Sequence, residues 1–338
     1  MMATIKDVAR EAKVSISTVS RVLNMSGYTS EKTKEKVLNA VKKLDYKGSL
    51  VAAAMIKKQT LTLGLIIPDI KNIFHSDLTR AVEDGANSHG FNIFLCNTDN
   101  NLQKEAEYIH LLIAKGVDGI IFSSPEVKDK NIKEVKEKFP QLPIVILGSK
   151  FHTLTVNEIL VDNFDGGYNA TRHLLELGHK DIAFISGGID SYSSIQRHKG
   201  YKFALNESGI PINDDFVIFD RFYIESGYKN ALKLLQKSKR PTAIFAGSDS
   251  IAVGIYKAAR KLNIKIPEQL SIVGFDDSQY AEILSPMLTT IHIPIKEMGQ
   301  RAIEIIVKSI KEKQIFKETL VLYPTFIERE STMAVHSK

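Results

Sequence analysis

The stretch TIKDVAREAKVSISTVSRVLN, residues 4–24, predicts two short helices joined by a tight turn. Thr4 is a favourable N-cap for the first helix, and Asp7 follows three residues later, which is close to a capping box. The second helix begins near Ser15 or Ser17. Apolar residues at helical spacing bury one face of each helix, namely Ile5, Val8, Ala9 and Ala12 in the first and Val19, Val22 and Leu23 in the second.

The opposite face of the second helix is polar. The side chains on that face are Ser17, Thr18, Ser20, Arg21 and Asn24. Two short helices around a tight turn, the second with a polar face, are typical of a helix-turn-helix. Such a helix fits the major groove of DNA, which is ~12 Å wide, and brings its N-terminal side chains to base edges. A three-helix module for protein contact is the alternative, but it leaves the polar face unexplained.

A third helix is predicted over SEKTKEKVLNAVKKLDY, residues 30–46, with Ser30 as its cap. The residues expected to face inward are Val37, Leu38, Val41 and Leu44. Residues 1–60 carry twelve Lys and Arg against five Asp and Glu, a net charge of +7, whereas residues 61–338 carry 33 against 34, a net charge of −1. A basic head on a near-neutral body indicates contact with nucleic acid, and a solvated lysine-rich surface is the plainer alternative.

The composition excludes several classes of protein. The 338 residues suffice for about two domains at roughly 100–200 residues each, and the 25% of charged residues is ordinary for a globular chain. Cys96 is the only cysteine, which excludes an internal disulfide and a cysteine-rich zinc site. The sequence has no G-x-G-x-x-G, P-loop or G-x-S-x-G motif, and its histidines lack zinc-ligand spacing. We therefore expect no enzyme, cofactor or metal. The lack of a signal-peptide core or of ~20 continuous apolar residues favours a cytoplasmic location.

From residue 61 onward, short apolar runs alternate with amphipathic segments, beginning with LTLGLIIP, FHSDLTRAVEDGANSHG and FNIFLCNT. Apolar strands separated by helices predict parallel sheets with right-handed crossovers, and two successive series predict two similar doubly wound α/β lobes. The carboxyl ends of such strands face the ligand crevice. The polar residues at those ends are Asp69, Asn97, Ser123, Ser124, Ser149, Ser248, Asp249 and Asp276. Capping of the next helix is the plainer interpretation of Asp249 and Asp276.

Residues 4–24 and the run EKTKEKVLNAVKKLDY resemble, almost without gaps, the DNA-binding head of the LacI family of bacterial transcription regulators. The body resembles the same family, and through it the periplasmic sugar-binding proteins, in the runs LGHKDIAFISGG, GSDSIAVG and IPEQLSIVGFDD. The resemblance implies a head at 1–46, a hinge segment at 47–60, and a two-lobed ligand-binding and dimerisation core at 61–338. It also implies three passages of the chain between the lobes, expected near residues 148–153, 279–291 and 322–326.

The DNA contacts implied by the resemblance fall in the head and the hinge. They are Thr4, Ser15, Ser17, Thr18, Ser20, Arg21, Asn24, Tyr28, Ser30, Ala52 and Met55. The hinge departs from the family pattern, because Gly48, Ser49, Ala53 and Met55 stand where the family has Pro, Asn, Arg and Leu. Ser49 can still cap a helix, and methionine occurs among residues that wedge between base steps. Losing the arginine removes a phosphate or groove contact, so a flexible linker and an interaction module with impaired DNA binding remain alternatives.

The expected effector site lies between the lobes. Its residues are Asp69, Phe74, His75, Ser123, Ser149, Arg197, Phe222, Ser248 and Asp276. Arg and Asp suit the paired hydrogen bonds that adjacent sugar hydroxyls require, and Phe74 with Phe222 or Tyr223 would stack on the ring. We expect a homodimeric repressor of a sugar-utilisation operon that binds a near-palindromic operator and a sugar such as D-ribose. A purine corepressor, or the phosphorylated carrier protein of catabolite control, is the alternative.

Overall fold

The computed structural model describes residues 3–23, 28–46, 59–124, 130–151 and 154–335. The chain divides into two compact units, Met1–Leu61 and Thr62–Lys338. Asn24, Ala52, Met55 and most of the expected hinge, residues 47–58, lie outside the described residues. The expectations for them remain predictions.

The described part of the first unit, residues 3–23 and 28–46, contains three helices, α1 (Ile5–Ala12), α2 (Ile16–Leu23) and α3 (Glu31–Lys43), as the apolar spacing predicted. Val8, Val19 and Val37 are fully buried, one from each helix, and they form the centre of a small core. The expectation for Leu38 was wrong, because this side chain is 48% exposed. Leu38 lies about 100° around the helix from Val37, beside the inward stripe rather than on it.

The first lobe of the second unit is built on six strands. These are β1 (Thr62–Ile67), β2 (Asn92–Asn97), β3 (Gly119–Ser123), β4 (Ile144–Leu147), β5 (Asn157–Val161) and β11 (Thr319–Leu322). Every neighbouring pair is parallel, in the order β11–β5–β4–β3–β1–β2. The helices of this lobe are α4 (Ile73–Ser88), α5 (Leu102–Ala114), α6 (Lys130–Lys138) and α12 (Ile295–Glu312). Strands β3, β4 and β5 are buried along their whole length, as expected of strands covered on both faces.

The second lobe repeats this architecture on four parallel strands. These are β6 (Ile182–Ser186), β7 (Val217–Phe219), β8 (Ala243–Ala246) and β9 (Ser271–Val273), in the order β7–β6–β8–β9. Its helices are α7 (Asn163–Glu176), α8 (Tyr192–Glu207), α9 (Ile224–Leu235), α10 (Asp249–Lys261) and α11 (Gln279–Ile283), with a 3-10 turn at Asp214–Phe216. The predicted pair of doubly wound lobes is therefore confirmed. Among the described helices, none is both long and apolar enough to cross a membrane.

The chain passes between the lobes at residues 161–163, 292–295 and 322–325. An antiparallel pair, β10 (Thr290–His292) with β12 (Thr325–Ile327), carries the second and third passages. The first passage was wrongly expected at 148–153, because β5 pairs with β4 and so stays in the first sheet. The second lies just beyond the expected range of 279–291, and the third falls within 322–326.

Glycines bring α7 and α8 together at backbone distance. A Cβ atom at Gly167 would collide with the backbone of Arg197, and one at Gly200 would collide with the carbonyl oxygen of Phe164. This close approach sets Arg197, on α8, beside Asn163, the first residue of α7.

Candidate DNA-binding head and effector cleft

Three hydroxyls gather at the start of α2. The Ser15 hydroxyl accepts a hydrogen bond from the Thr18 backbone amide at 3.1 Å, which makes Ser15 the N-cap. Its oxygen also lies 2.7 Å from Ser17 Oγ and 2.8 Å from Thr18 Oγ1. Ser15, Ser17 and Arg21 are exposed, and Ser20 and Thr18 are half-buried. The described part of the head thus presents hydroxyls and one guanidinium on a single helix, which suits contact with base edges and phosphates.

The remaining head residues expected to touch DNA flank this helix in sequence. Thr4 caps α1, and both its backbone amide and its hydroxyl donate to Asp7 Oδ2, at 2.9 and 2.7 Å. These hydrogen bonds lower the pKa of the Asp7 carboxyl. Ser30 caps α3 by accepting from the Thr33 amide at 3.3 Å. Tyr28 is 95% exposed, so its ring is available to a partner.

The centre of the cleft site is a buried pair, Arg197 and Asp276. Arg197 Nε donates to Asn163 Oδ1 at 2.8 Å, and Nη1 donates to the Gly247 carbonyl oxygen. Nη2 lies 3.8 Å from Asp276 Oδ1, which is an ion-pair distance but longer than a hydrogen bond. The guanidinium also stacks 3.6 Å above the ring centre of Phe275. Asn163 and Phe275 were not predicted, because a neighbour on another helix and a strand-end phenylalanine carry no sequence signal of their own.

Burial dominates the electrostatics of this pair. It lowers the pKa of the Arg197 guanidinium to about 10, against the opposing effect of Asp276 and Asp249. It raises the pKa of the Asp276 carboxyl well above its usual range, and the nearby Arg197 only partly reverses that shift. Burial also raises the pKa of Asp249 to about 6. The Arg197 guanidinium therefore keeps a poorly solvated positive charge, beside a carboxyl group whose ionised form burial disfavours.

The two phenylalanines of the predicted effector site lie on different lobes, and their contact with a ligand remains a prediction. Phe222 lies with its ring centre 5.7 Å from the Arg197 guanidinium, so the two predicted residues meet. Phe74 is half-buried at the start of α4 and contacts the His75 ring edge-on at 5.2 Å. Buried His75 pairs with Ser123, its Nδ1 3.1 Å from the serine Oγ. Burial lowers the pKa of His75 to about 4, so the imidazole is neutral near pH 7.

Contacts also cross from one lobe to the other. The Tyr223 hydroxyl donates to Asp69 Oδ2 at 2.9 Å, and Asn100 Nδ2 lies 3.5 Å from the same hydroxyl. Asn72 Nδ2 donates to the Phe222 carbonyl oxygen at 3.4 Å. Asp69 thus stands at the mouth between the lobes, where its partner is the tyrosine that sequence analysis offered as the alternative to Phe222.

Two other predicted effector residues, Ser248 and Ser149, are buried just after strands β8 and β4. Ser248 is buried and caps α10, where its hydroxyl accepts from the Ile251 amide at 3.2 Å. Ser149 is buried just after β4. Asp249 accepts from the Ser278 amide and hydroxyl and from the Thr290 hydroxyl, at 2.7, 3.0 and 2.7 Å. Contact of Ser248 and Ser149 with an effector remains a prediction.

Comparisons with known proteins agree on both parts of the chain. Residues 4–49 match the model of bacterial regulatory proteins of the lacI family, and residues 171–332 match a periplasmic binding protein-like domain. The chain is 39% identical over 338 residues to the HTH-type transcriptional regulator DegA of Bacillus subtilis, with 100% of both chains covered. It is 37% identical to the catabolite control protein A of Priestia megaterium, over 98% of this chain and 100% of the relative.

Two solved structures of similar proteins contain bound molecules. A LacI family transcriptional regulator from Enterococcus faecium with bound ribose is 33% identical, with a TM-score of 0.74 over 81% of this chain and 100% of that chain. The lac repressor dimer bound to operator and the anti-inducer ONPF is 26% identical, with a TM-score of 0.90 over 99% of this chain and 100% of that chain.

Proposed function

The chain belongs to the lacI family of bacterial regulatory proteins and is therefore a DNA-binding transcriptional regulator, and we propose that it represses a sugar-utilisation operon under the control of a pentose such as D-ribose. The proposed regulator is a homodimer in the cytoplasm. Its two heads bind the half-sites of a near-palindromic operator, so that the symmetry of the DNA matches that of the dimer.

The observation that carries the sugar proposal is the 3.8 Å separation of Arg197 Nη2 and Asp276 Oδ1. A hydroxyl oxygen that lies to one side of the line joining these atoms, about 2.8 Å from each, can accept from the guanidinium and donate to the carboxyl group. Adjacent hydroxyls of a sugar present this combination of donor and acceptor. Phe222 lies beside the guanidinium and offers an apolar face for the ring.

The balance of charge favours a neutral ligand over a phosphorylated one. Asp69 and Asp276 are the acidic side chains of the candidate site, and Arg197 supplies its guanidinium. His75 is neutral near pH 7 because its pKa is about 4. A phosphate group would bring negative charge to a site whose guanidinium already bonds Asn163 and Gly247. The ribose bound by the Enterococcus faecium relative supports the choice of D-ribose as the first ligand to test.

A corepressor mechanism is the second candidate. The whole-length similarity to a catabolite control protein favours it. The ligand that strengthens DNA binding would then be a phosphorylated carrier protein or a purine. In that case the ligand would stabilise the operator complex instead of releasing it, by a coupling free energy of the opposite sign.

Isothermal titration calorimetry of the full-length protein distinguishes these ligands. D-ribose, D-ribose 5-phosphate and hypoxanthine are titrated separately under one buffer condition. We expect saturable binding of D-ribose and at least tenfold weaker binding of its 5-phosphate, because the Arg197 guanidinium already bonds Asn163 and Gly247. Tighter binding of hypoxanthine or of the phosphate would contradict the neutral-sugar proposal.

A further inference from the structure

The Arg197–Asp276 pair is held by the same chain segments that join the two lobes. The first passage ends at Asn163, the second begins at His292, and the strand after the third passage leads into Arg329. Each of these three residues contacts the pair or the residue next to it. The geometry of the pair therefore depends on the passages between the lobes.

The first passage fixes the arginine. Asn163 Oδ1 accepts from Arg197 Nε at 2.8 Å, and Asn163 Nδ2 donates to the carbonyl oxygen of Val161 at 3.1 Å, at the end of β5. Both residues of this contact are buried. A rotation of the chain at 161–163 would therefore move the partner of the guanidinium.

The second and third passages fix the loop that carries the aspartate. Arg329 Nη2 donates to Asp277 Oδ1 at 2.8 Å, and His292 Nδ1 lies 3.0 Å from Asp277 Oδ2. Arg329 Nη1 also donates to the carbonyl oxygen of Leu288 at 3.1 Å. The Asp276 amide itself donates to the carbonyl oxygen of Ile291, at 2.8 Å. Asp277 is thus held by His292 on β10 and by Arg329 just after β12, one residue away from the carboxyl group of the site.

The backbone of this loop needs such support. Asp276 and Asp277 have φ angles of 112° and 55°, in a region that residues with a side chain rarely adopt. Conformations of this kind persist where the surroundings over-determine them, and they cluster at ligand sites. Asp249 further restrains the loop, since its carboxyl group accepts hydrogen bonds from the Ser278 amide on the loop and from the Thr290 hydroxyl on β10.

We propose that Asn163, His292 and Arg329 are positioning residues, which hold the guanidinium of Arg197 and the carboxyl group of Asp276 at the separation that the effector needs. The proposal rests on the proposed function for the identity of the ligand, but not for the contacts themselves.

Hydrogen exchange of the full-length, ligand-free protein tests the contacts. Arg329→Gln removes the clamp on Asp277, and His292→Gln, at a half-exposed position, tests the same clamp with less risk to folding. Arg301→Gln is the matched control, because Arg301 pairs with Glu297 and Glu304 on the surface of α12. We expect exchange at the 274–279 segment to rise at least tenfold in Arg329→Gln, less in His292→Gln, and not at all in the control. Unchanged exchange in both clamp variants would overturn the proposal.

Titration of the same proteins with D-ribose at 25 °C separates positioning from mere stabilisation. A positioning role predicts at least tenfold weaker binding in Arg329→Gln, at a temperature where the variant is fully folded. A lower melting temperature with an unchanged dissociation constant would overturn it. If the wild-type protein binds no D-ribose, the choice of effector is wrong, and the exchange measurement still decides the positioning proposal.

Discussion

At the scale of single residues, Arg197 shows how burial and hydrogen bonding make a site. Its guanidinium is buried, stacked on Phe275, and bonded through different nitrogens to Asn163 and Gly247. Only a planar group with several donors can satisfy these partners together. A flexible point charge at the same position would lose most of them.

Arg197→Lys tests this requirement. We expect the affinity for the effector to fall at least tenfold, which corresponds to about 1.4 kcal/mol or more, because lysine keeps the charge but not the fork of donors. Calorimetric titration with D-ribose measures the change. Arg301→Lys, on the exposed face of α12, is the control and keeps the wild-type affinity. Equal affinity in Arg197→Lys would remove the arginine from the site.

His75 predicts a dependence of stability on pH. Burial lowers the pKa of the folded-state imidazole from 6.5 to about 4. Between these values the unfolded chain binds a proton that the folded chain does not, so the free energy of unfolding falls as the pH drops from about 6.5 to about 4. The contribution of His75 over that window is about 3 kcal/mol. Urea unfolding at pH 7 and pH 4 measures it.

The variant His75→Gln isolates this contribution. Asp249 raises the free energy of unfolding as the pH falls, because burial raises its pKa to about 6. This contribution is the same in both proteins. We therefore expect the loss of stability between pH 7 and pH 4 to be about 3 kcal/mol smaller in His75→Gln than in the wild type. Parallel pH profiles for the two proteins would show that His75 is accessible to protons in the folded state.

Single residues also mark how far the sequence alone could predict the site. Polar groups at strand ends identified Asp69, Ser123 and Asp276, because the carboxyl ends of parallel strands face the crevice. The same rule included Ser248, whose hydroxyl caps a helix. It missed Asn163, which reaches Arg197 only because glycines let α7 and α8 approach closely.

At the scale of elements, the α7–α8 contact depends on the absence of side chains at Gly167 and Gly200. Gly200→Ala would place a Cβ atom against the carbonyl oxygen of Phe164 and force the helices apart. We expect a loss of about 1–3 kcal/mol in the free energy of unfolding, as for other overpacked sites. Denaturant unfolding measures it.

Gly188→Ala is the control for that substitution. The nearest heavy atom to a Cβ there is the Asp220 carbonyl oxygen, at 3.9 Å, so the methyl group fits. Its effect on the free energy of unfolding stays within about 1 kcal/mol. Equal stability of the two variants would mean that α7 and α8 adjust at no cost.

The hydrogen bond from Tyr223 to Asp69 links the start of α9 to the loop after β1, on opposite lobes. Tyr223→Phe removes it, and a bond to a carboxylate at this half-exposed position contributes about 1 kcal/mol. We expect hydrogen exchange of residues 220–224 to rise about fivefold in the ligand-free protein. Tyr168→Phe, whose hydroxyl bonds Glu207 within one lobe, leaves that segment unchanged. No rise in Tyr223→Phe would show that the bond does not hold the lobes.

The spacing of apolar residues predicts whether a segment is a helix or a strand, but it does not predict to which sheet a strand belongs. The run EILV gives the same apolar signal in either lobe, and only its pairing with β4 places it in the first sheet. The helix Ile295–Glu312 packs against α4 although more than 200 residues separate them in sequence. Such long-range pairing is set by tertiary packing, which local periodicity does not encode.

At the scale of the whole molecule, the excess of basic residues lies in the head and hinge segment, and the candidate effector site lies in the core. The first sixty residues carry a net charge of +7 and the remainder carries −1. Binding of DNA by such a head should weaken steeply with salt, since phosphate contacts release counterions. Control of that binding by a ligand in the core then requires a coupling between two distinct sites.

The most direct measurement is fluorescence anisotropy with a labelled duplex from this gene's own upstream region. It is made at two salt concentrations, with and without D-ribose, and against a scrambled duplex of equal length. The account predicts tight, salt-sensitive binding to the upstream duplex that D-ribose weakens at least tenfold. Binding that is indifferent both to DNA sequence and to D-ribose would contradict it.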